Sequence, residues 1–221
     1  MQYRLKHPEL LLLTRPDGPP SAGGDQEWYR DLWQRRAGCG PTTAAALLAY
    51  LSQTCPALAP LAPEEGQTQA GFLRYMEQLW PYVTPGAMGL DKPESLVVGC
   101  RSFALSRGCQ LAGEILPVPA DRTARPALSA CADFVAQALS ADQPVAFLNY
   151  SNGALQNLDS WHWVPLVSLS QGETPPAGEE VLLCTVLDEG EERLIDLALW
   201  LATTSRGGAL VRLFPGKDSV I

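Results

Sequence analysis

Residues Gly38-Cys39-Gly40-Pro41 open a run of small and apolar residues that continues to Leu51. A helix start ordinarily takes Ser, Thr, Asp or Asn as its cap. Here a thiol holds that place, between two glycines. The thiolate is the nucleophilic form of cysteine. It is favoured by a helix N-terminus, with its unpaired N–H groups and positive dipole end, and by a neighbouring imidazolium. Gly38 and Gly40 put no side chain beside the sulfur, so a substrate backbone can approach. The Cys39 N–H is then available as an oxyanion donor. The pattern reads as an activated nucleophile rather than as a buried apolar cysteine.

A thiol nucleophile needs a base, and the chain offers two histidines, His7 and His162. His162 lies between Trp161 and Trp163 at the entry of an apolar run, where it is held rigidly and shielded from water. His7 sits in a polar segment beside Lys6 and Glu9 and is the weaker alternative. The base in turn needs a partner for its other ring nitrogen. Asp188, at the end of the next apolar run and just before Gly190, is the expected orienter, with Asp196 and Asp159 as weaker alternatives. Gln34, a few residues before the cysteine, offers a side-chain amide as second oxyanion donor. Asn149 and Asn152 are expected to line the cleft, and Trp161 and Trp163 to flank it.

These residues have to be positioned by helices and strands. Pro41 suits the first turn of a helix, where its missing N–H is no loss. Ala44, Leu47, Leu48 and Leu51 follow at helical spacing, which predicts a helix buried on most sides. Further helices are expected near 65–80, 92–106, 127–139 and 198–203, a strand near 109–118, and a short extended stretch over 27–33. From residue 145 the chain turns to short Val- and Leu-rich runs separated by turn residues. Helices first and strands second predict an α+β fold of two lobes within one domain, 1–221. The helical lobe spans about 26–141 and the antiparallel sheet lobe about 142–215. Residues 1–14 read either as an edge strand or as a contact with another protein. The stretch "QGETPPAGEE", 171–180, reads as an inserted loop.

Taken in order, Gln34, the Gly38-Cys39-Gly40-Pro41-Thr42 helix start, the later His162-Trp163-Val164 strand and Asp188 before a glycine turn resemble the papain-like cysteine peptidases. More narrowly they resemble the bacterial branch that includes the double-glycine leader peptidases and their stand-alone relatives. The resemblance runs over about residues 28–214. It implies the papain-like two-lobe fold, with the nucleophile at a helix start. It implies Cys39 as nucleophile, His162 as general base, Asp188 as orienter and Gln34 in the oxyanion hole, with no metal or other cofactor. In that family the oxyanion glutamine usually stands one residue further from the cysteine, where this chain has Trp33, and the aspartate is often followed by proline. The expected activity is thiol-dependent hydrolysis of a peptide or small amide. Acyl transfer by the same dyad, and a catalytically silent member that binds a peptide or partner, are the alternatives.

Composition narrows the partners. With 16 Lys and Arg against 24 Asp and Glu, a formal net charge of -8 and no basic run, neither nucleic acid nor an anionic membrane is expected. No apolar run approaches the ~20 residues of a membrane span. Leu10 to Leu13 are too few for a secretory signal, so a cytoplasmic protein is predicted. The six cysteines include no Cys-x-x-Cys pair and the histidines are few, so free thiols and no metal site are expected. No feature selects an oligomeric state.

Overall fold

Two aspartates decide how the chain enters the site. Asp25 accepts a hydrogen bond from the Glu27 N–H, and Asp31 from those of Trp33 and Gln34. Each is an N-cap, and each starts a helical turn. The stretch expected to be extended is therefore a 3-10 turn, Gln26–Trp28, followed by helix α1, Leu32–Ala37. The structure, a computed structural model, describes residues 2–172 and 180–216. Most of the loop read as an insertion lies outside the described residues.

Beyond α1 the helices are α2 (Cys39–Thr54), α3 (Gln69–Leu79), α4 (Pro93–Ser106), α5 (Leu128–Ser140) and α6 (Leu197–Thr203). Helix α3 begins later than its apolar pattern suggests because Thr68 caps it, accepting from the Gly71 N–H. The strands are β1 (Gln2–Arg4), β2 (Leu12–Leu13), β3 (Ser21–Ala22), β4 (Leu111–Val118), β5 (Val145–Asn149), β6 (His162–Gln171), β7 (Leu182–Asp188), β8 (Glu191–Asp196) and β9 (Gly208–Pro215). The fold is α+β, with one large antiparallel sheet.

Helix α2 is the centre of the molecule. Every residue from Gly40 to Ser52 is buried. Its Ala-rich surface lets β6 and helices α3 and α4 close on it together. Leu47, Leu48 and Leu51 are at most 2% exposed, each worth about 1.5–3 kcal/mol of burial. The sheet runs β4-β9-β5-β6-β7-β8, with β1 added beside β6. Strand β5 pairs with β6 over 162–166, and β1 pairs with it over 168–170. The N-terminal segment thus continues the line of β5, where the longer β6 would otherwise lack a partner. Because β6 and β7 are antiparallel neighbours, the first residue of one and the last residue of the other come to the same end of the sheet.

Candidate active site

Cys39 is the first residue of α2. Gly38 before it has helical angles (φ -82°, ψ -3°), so the chain turns from α1 into α2 almost without interruption. A Cβ at Gly38 would lie 2.3 Å from the Gln34 carbonyl oxygen and 2.7 Å from the Tyr29 ring. At Gly40 it would lie 2.6 Å from the Leu90 side chain. The two glycines therefore do more than uncover the sulfur. They let the start of α2 sit pressed between Tyr29 and Leu90, which fixes where the half-buried Cys39 points.

His162 opens β6 and Asp188 closes β7. His162 Nε2 lies 2.7 Å from Asp188 Oδ1. Asp188 is only 5% exposed, so its carboxylate acts with little solvent screening. Its second oxygen accepts from Arg193 Nη1 at 2.7 Å, and Arg193 also pairs with Glu189. Glu189 and Gly190 have φ of 51° and 79°, the two positive values of a type I′ hairpin turn. That turn sets Glu191 opposite Asp188 and brings Arg193 diagonally across to it. With Nε2 donating to a carboxylate, Nδ1 is the nitrogen left for the Cys39 thiol, which lines the same narrow cleft as His162. Burial pulls the His162 pKa down, but hydrogen bonds and charge from Asp188 and Cys39 outweigh it, and the net shift is upward. An imidazole placed in this way can take a proton from a thiol. No protein-family model and no curated protein matches this chain.

A narrow cleft of about 20 Å³ lies on the His162 side of Cys39. That is room for about one water molecule. Asp25, Gln26 and Thr42 line it with Cys39, His162 and Asp188. Gln26 Oε1 is buried and lacks a hydrogen-bond partner among the described residues. Gln26 lines the cleft with Cys39. Most buried polar groups are paired, which makes this orphan informative. Half a turn of the Gln26 amide exchanges its oxygen for the NH₂ at no change in shape. The cleft is thereby offered a donor.

Gln34 lines neither this cleft nor the cavity on the other side of Cys39. Gln26, further upstream, is the glutamine that reaches the site, and the sequence reading passed over it. Its position depends on the Asp25 cap, the one local signal that could have revealed it. Burial, partly offset by the Glu27 N–H, raises the Asp25 pKa, and the charges of Glu189, Glu27 and Asp188 push the same way.

The second cavity, about 240 Å³, shares Cys39 and Trp163 with the cleft. Trp33, at the position where the resembled family usually has its glutamine, is one of its walls, and so is Trp161. Trp161 has a φ of 61°, a left-handed conformation that costs a bulky residue about 1–2 kcal/mol. Its indole N–H donates to the Met88 carbonyl oxygen at 2.6 Å, which holds it there.

His7 and Asp196 are engaged elsewhere, and Asp159 does not line the cleft. His7 pairs with Glu9 on the surface at 3.2 Å. Asp196 caps α6, accepting from the N–H groups of Ala198 and Leu199. Asp159 meets the Asn149 side chain through its backbone carbonyl. Asn149 and Asn152, expected along the cleft, instead brace the loop between β5 and β6 through Asp159, Leu155 and Ser160. All six cysteines are unpaired. Burial pushes the Cys100 thiol up to about 12 and that of Cys131 up to about 11, which leaves both inert as nucleophiles. Among the described residues no cluster of His, Cys, Asp and Glu has the makings of a metal site, and no helix is long and apolar enough to cross a membrane.

Proposed function

We propose that this chain is a cysteine hydrolase of papain-like two-lobe architecture that cleaves a peptide or small amide bond. The observation that carries the reading is the hydrogen-bonded His162–Asp188 pair lining one narrow cleft with Cys39, whose thiol stands at the start of a buried helix. His162 takes the Cys39 proton, and the resulting thiolate sulfur bonds to the carbonyl carbon. The oxyanion is held by the Cys39 N–H and the side-chain amide of Gln26, which takes the role expected of Gln34. As the oxyanion collapses, the C–N bond breaks and the His162 proton passes to the leaving amine. Water, giving a proton to His162, then attacks the thioester. The acid is released and the thiol regains its proton. Asp188 keeps the imidazole in the required tautomer, and Arg193 keeps Asp188 in place.

Alkylation by iodoacetamide tests the reading, followed by mass spectrometry at Cys39. The native thiol is expected to react at pH 6 nearly as fast as at pH 8, and the His162→Ala variant to react at least tenfold more slowly at pH 6. A native rate that follows an ordinary thiol titration near ~8.5, unchanged in the variant, would overturn it.

A further inference from the structure

Strand β4 is one outer strand of the large sheet and β8 is the other. An outer strand presents unpaired N–H and C=O groups, and native chains cover them or guard them with charge. Strand β8 does both. Glu191, Glu192 and Arg193 stand on it. The Ala22 N–H donates to the Gly190 carbonyl at its start, and the Asn157 side-chain amide donates to its Leu194 carbonyl at 2.7 Å. Strand β4 has a different edge. Gln110 and Gly216 continue the β4–β9 register and stand opposite each other, and the Gly216 N–H donates to the Gln110 carbonyl at 2.8 Å. Opposite residues of an antiparallel pair are hydrogen-bonded alternately. Ala112, Glu114 and Leu116 therefore bond to β9, while Leu111, Gly113 and Ile115 point their N–H and C=O groups away from it. Pro117 agrees, because it falls in the outward set, where its missing N–H belongs. Strand β5 agrees from the other flank of β9. There the Tyr150 N–H donates to the Gly207 carbonyl, which gives the odd-numbered residues of β9 to β5 and leaves the even-numbered ones for β4.

Among the described residues no hydrogen bond reaches the outward groups of Leu111, Gly113 and Ile115. The open stretch has defined ends. On one side the Cys109 N–H is taken by the Ala104 carbonyl at 2.9 Å, and on the other Pro117 has no N–H to give. Three open residues remain, centred on Gly113, and such a stretch is complementary to itself when reversed. A two-fold axis at Gly113 sets Leu111 opposite the partner's Ile115, Gly113 opposite the partner's Gly113, and Ile115 opposite the partner's Leu111. Each pair exchanges two N–H···O bonds, six in all. In this register all three open residues pair fully with one another. Gly113 brings no side chain to the axis, and Val97 of α4 lies over it, 2.8 Å from where a Cβ would stand. On the other face Glu114 is neutralised by Arg212 of β9, so two copies meet without bare like charges. Helix α4 also exposes Val98 and Leu105, at 59% and 56%. Both lie within about 100° of Val97 around the helix, and they extend the apolar surface beside the edge.

We propose that two copies of this chain pair through β4, antiparallel across a two-fold axis at Gly113, to make a dimer with one continuous sheet. The partner is a second copy rather than a foreign strand because the open stretch is symmetric about its own centre. The pairing is independent of the reading of Cys39 as a nucleophile. The test is sedimentation equilibrium on the full-length protein, with amide hydrogen exchange followed by NMR on the same samples. Twice the chain mass of 23.8 kDa is expected, falling to the single mass on dilution. The Leu111, Gly113 and Ile115 amides should exchange at least tenfold more slowly in the dimer than in the diluted monomer. Those of Ala112, Glu114 and Leu116 should be protected in both. Ile115→Pro removes one outward N–H and no bond to β9, and Ile115→Lys puts a charge on the edge. Each variant should raise the dimer dissociation constant at least tenfold with Tm within a few degrees of the native value. Should Ile115→Pro fail to fold, Ile115→Lys carries the test. A native chain that stays monomeric up to millimolar concentration overturns the proposal, whether or not it captures a foreign peptide. So does a dimer that leaves the three outward amides unprotected, or one that the folded variants form as tightly as the native chain.

Discussion

Asp188→Asn removes one charge and keeps the shape of the site. In the native protein Asp188 Oδ1 lies 2.7 Å from His162 Nε2 and Oδ2 lies 2.7 Å from Arg193 Nη1, at 5% exposure. A hydrogen bond to a charged group is worth about 1.5–3 kcal/mol, and a neutral one about 0.5–1.5 kcal/mol. Imidazolium therefore loses about 1–1.5 kcal/mol of support, which at 1.36 kcal/mol per pH unit is about tenfold in the imidazolium population. Arg193 adds to the loss, because its charge, no longer opposed by Asp188, disfavours a cation on His162. The assay is the iodoacetamide rate at Cys39 across pH 5 to 9.5. The variant is expected to be about tenfold slower at pH 6. The gap should close toward pH 9, where the thiolate forms without help from the imidazole. A uniform fall at every pH would mean that Asp188 only shapes the fold around Cys39. An unchanged profile would mean that it does not support the His162 charge at all. Either result refutes the reasoning.

Gln26→Ala is expected to lower kcat of a cleaved peptide by ~10²–10³ with KM changed little, as for loss of one oxyanion donor, while Gln34→Ala leaves kcat within about twofold; steady-state kinetics on both variants decide between the two glutamines. His162 also links stability to pH. Its pKa in the folded chain is raised from 6.5 to about 10, because the Asp188 and Cys39 interactions exceed the opposing effect of burial. The folded state therefore holds the proton more tightly than the unfolded one. The stability this contributes is present in full below about pH 6.5 and is lost as pH rises through the raised value. Thermal unfolding across pH 6 to 10.5 should show Tm falling more steeply in the native chain than in His162→Gln.

Much of the helical framework is legible from spacing. The apolar positions of α2, the Pro93 start of α4 and the run that becomes β4 are local patterns, and local patterns survive into the structure. The short strands after residue 145 are legible for the same reason, as is the closeness of His162 and Asp188. One begins an apolar run and the other ends the next, and antiparallel neighbours bring such ends together. The 27–33 stretch misleads because its aromatic residues suggest a strand. Side-chain caps from Asp25 and Asp31 override that preference at the cost of two small polar residues that periodicity does not weigh.

By itself, then, the sequence determined the residue types available for chemistry: one cysteine at a glycine-flanked helix start, two histidines for the whole chain, and an aspartate before a hairpin glycine. It also determined the elements that carry them, because helix and strand follow from neighbours a few residues apart. Only the tertiary structure decided which glutamine lines the cleft with Cys39. Gln26 and Gln34 differ by two helical starts, whose direction is set by packing on Tyr29 and Gly38. It alone decided that Arg193 clamps Asp188, a contact made across a hairpin. It also assembled one aromatic cavity from α1, the 86–91 loop and both sides of His162. Contacts of this kind join residues tens of positions apart, and they exist only once burial of α2 has closed the sheet and helices around it.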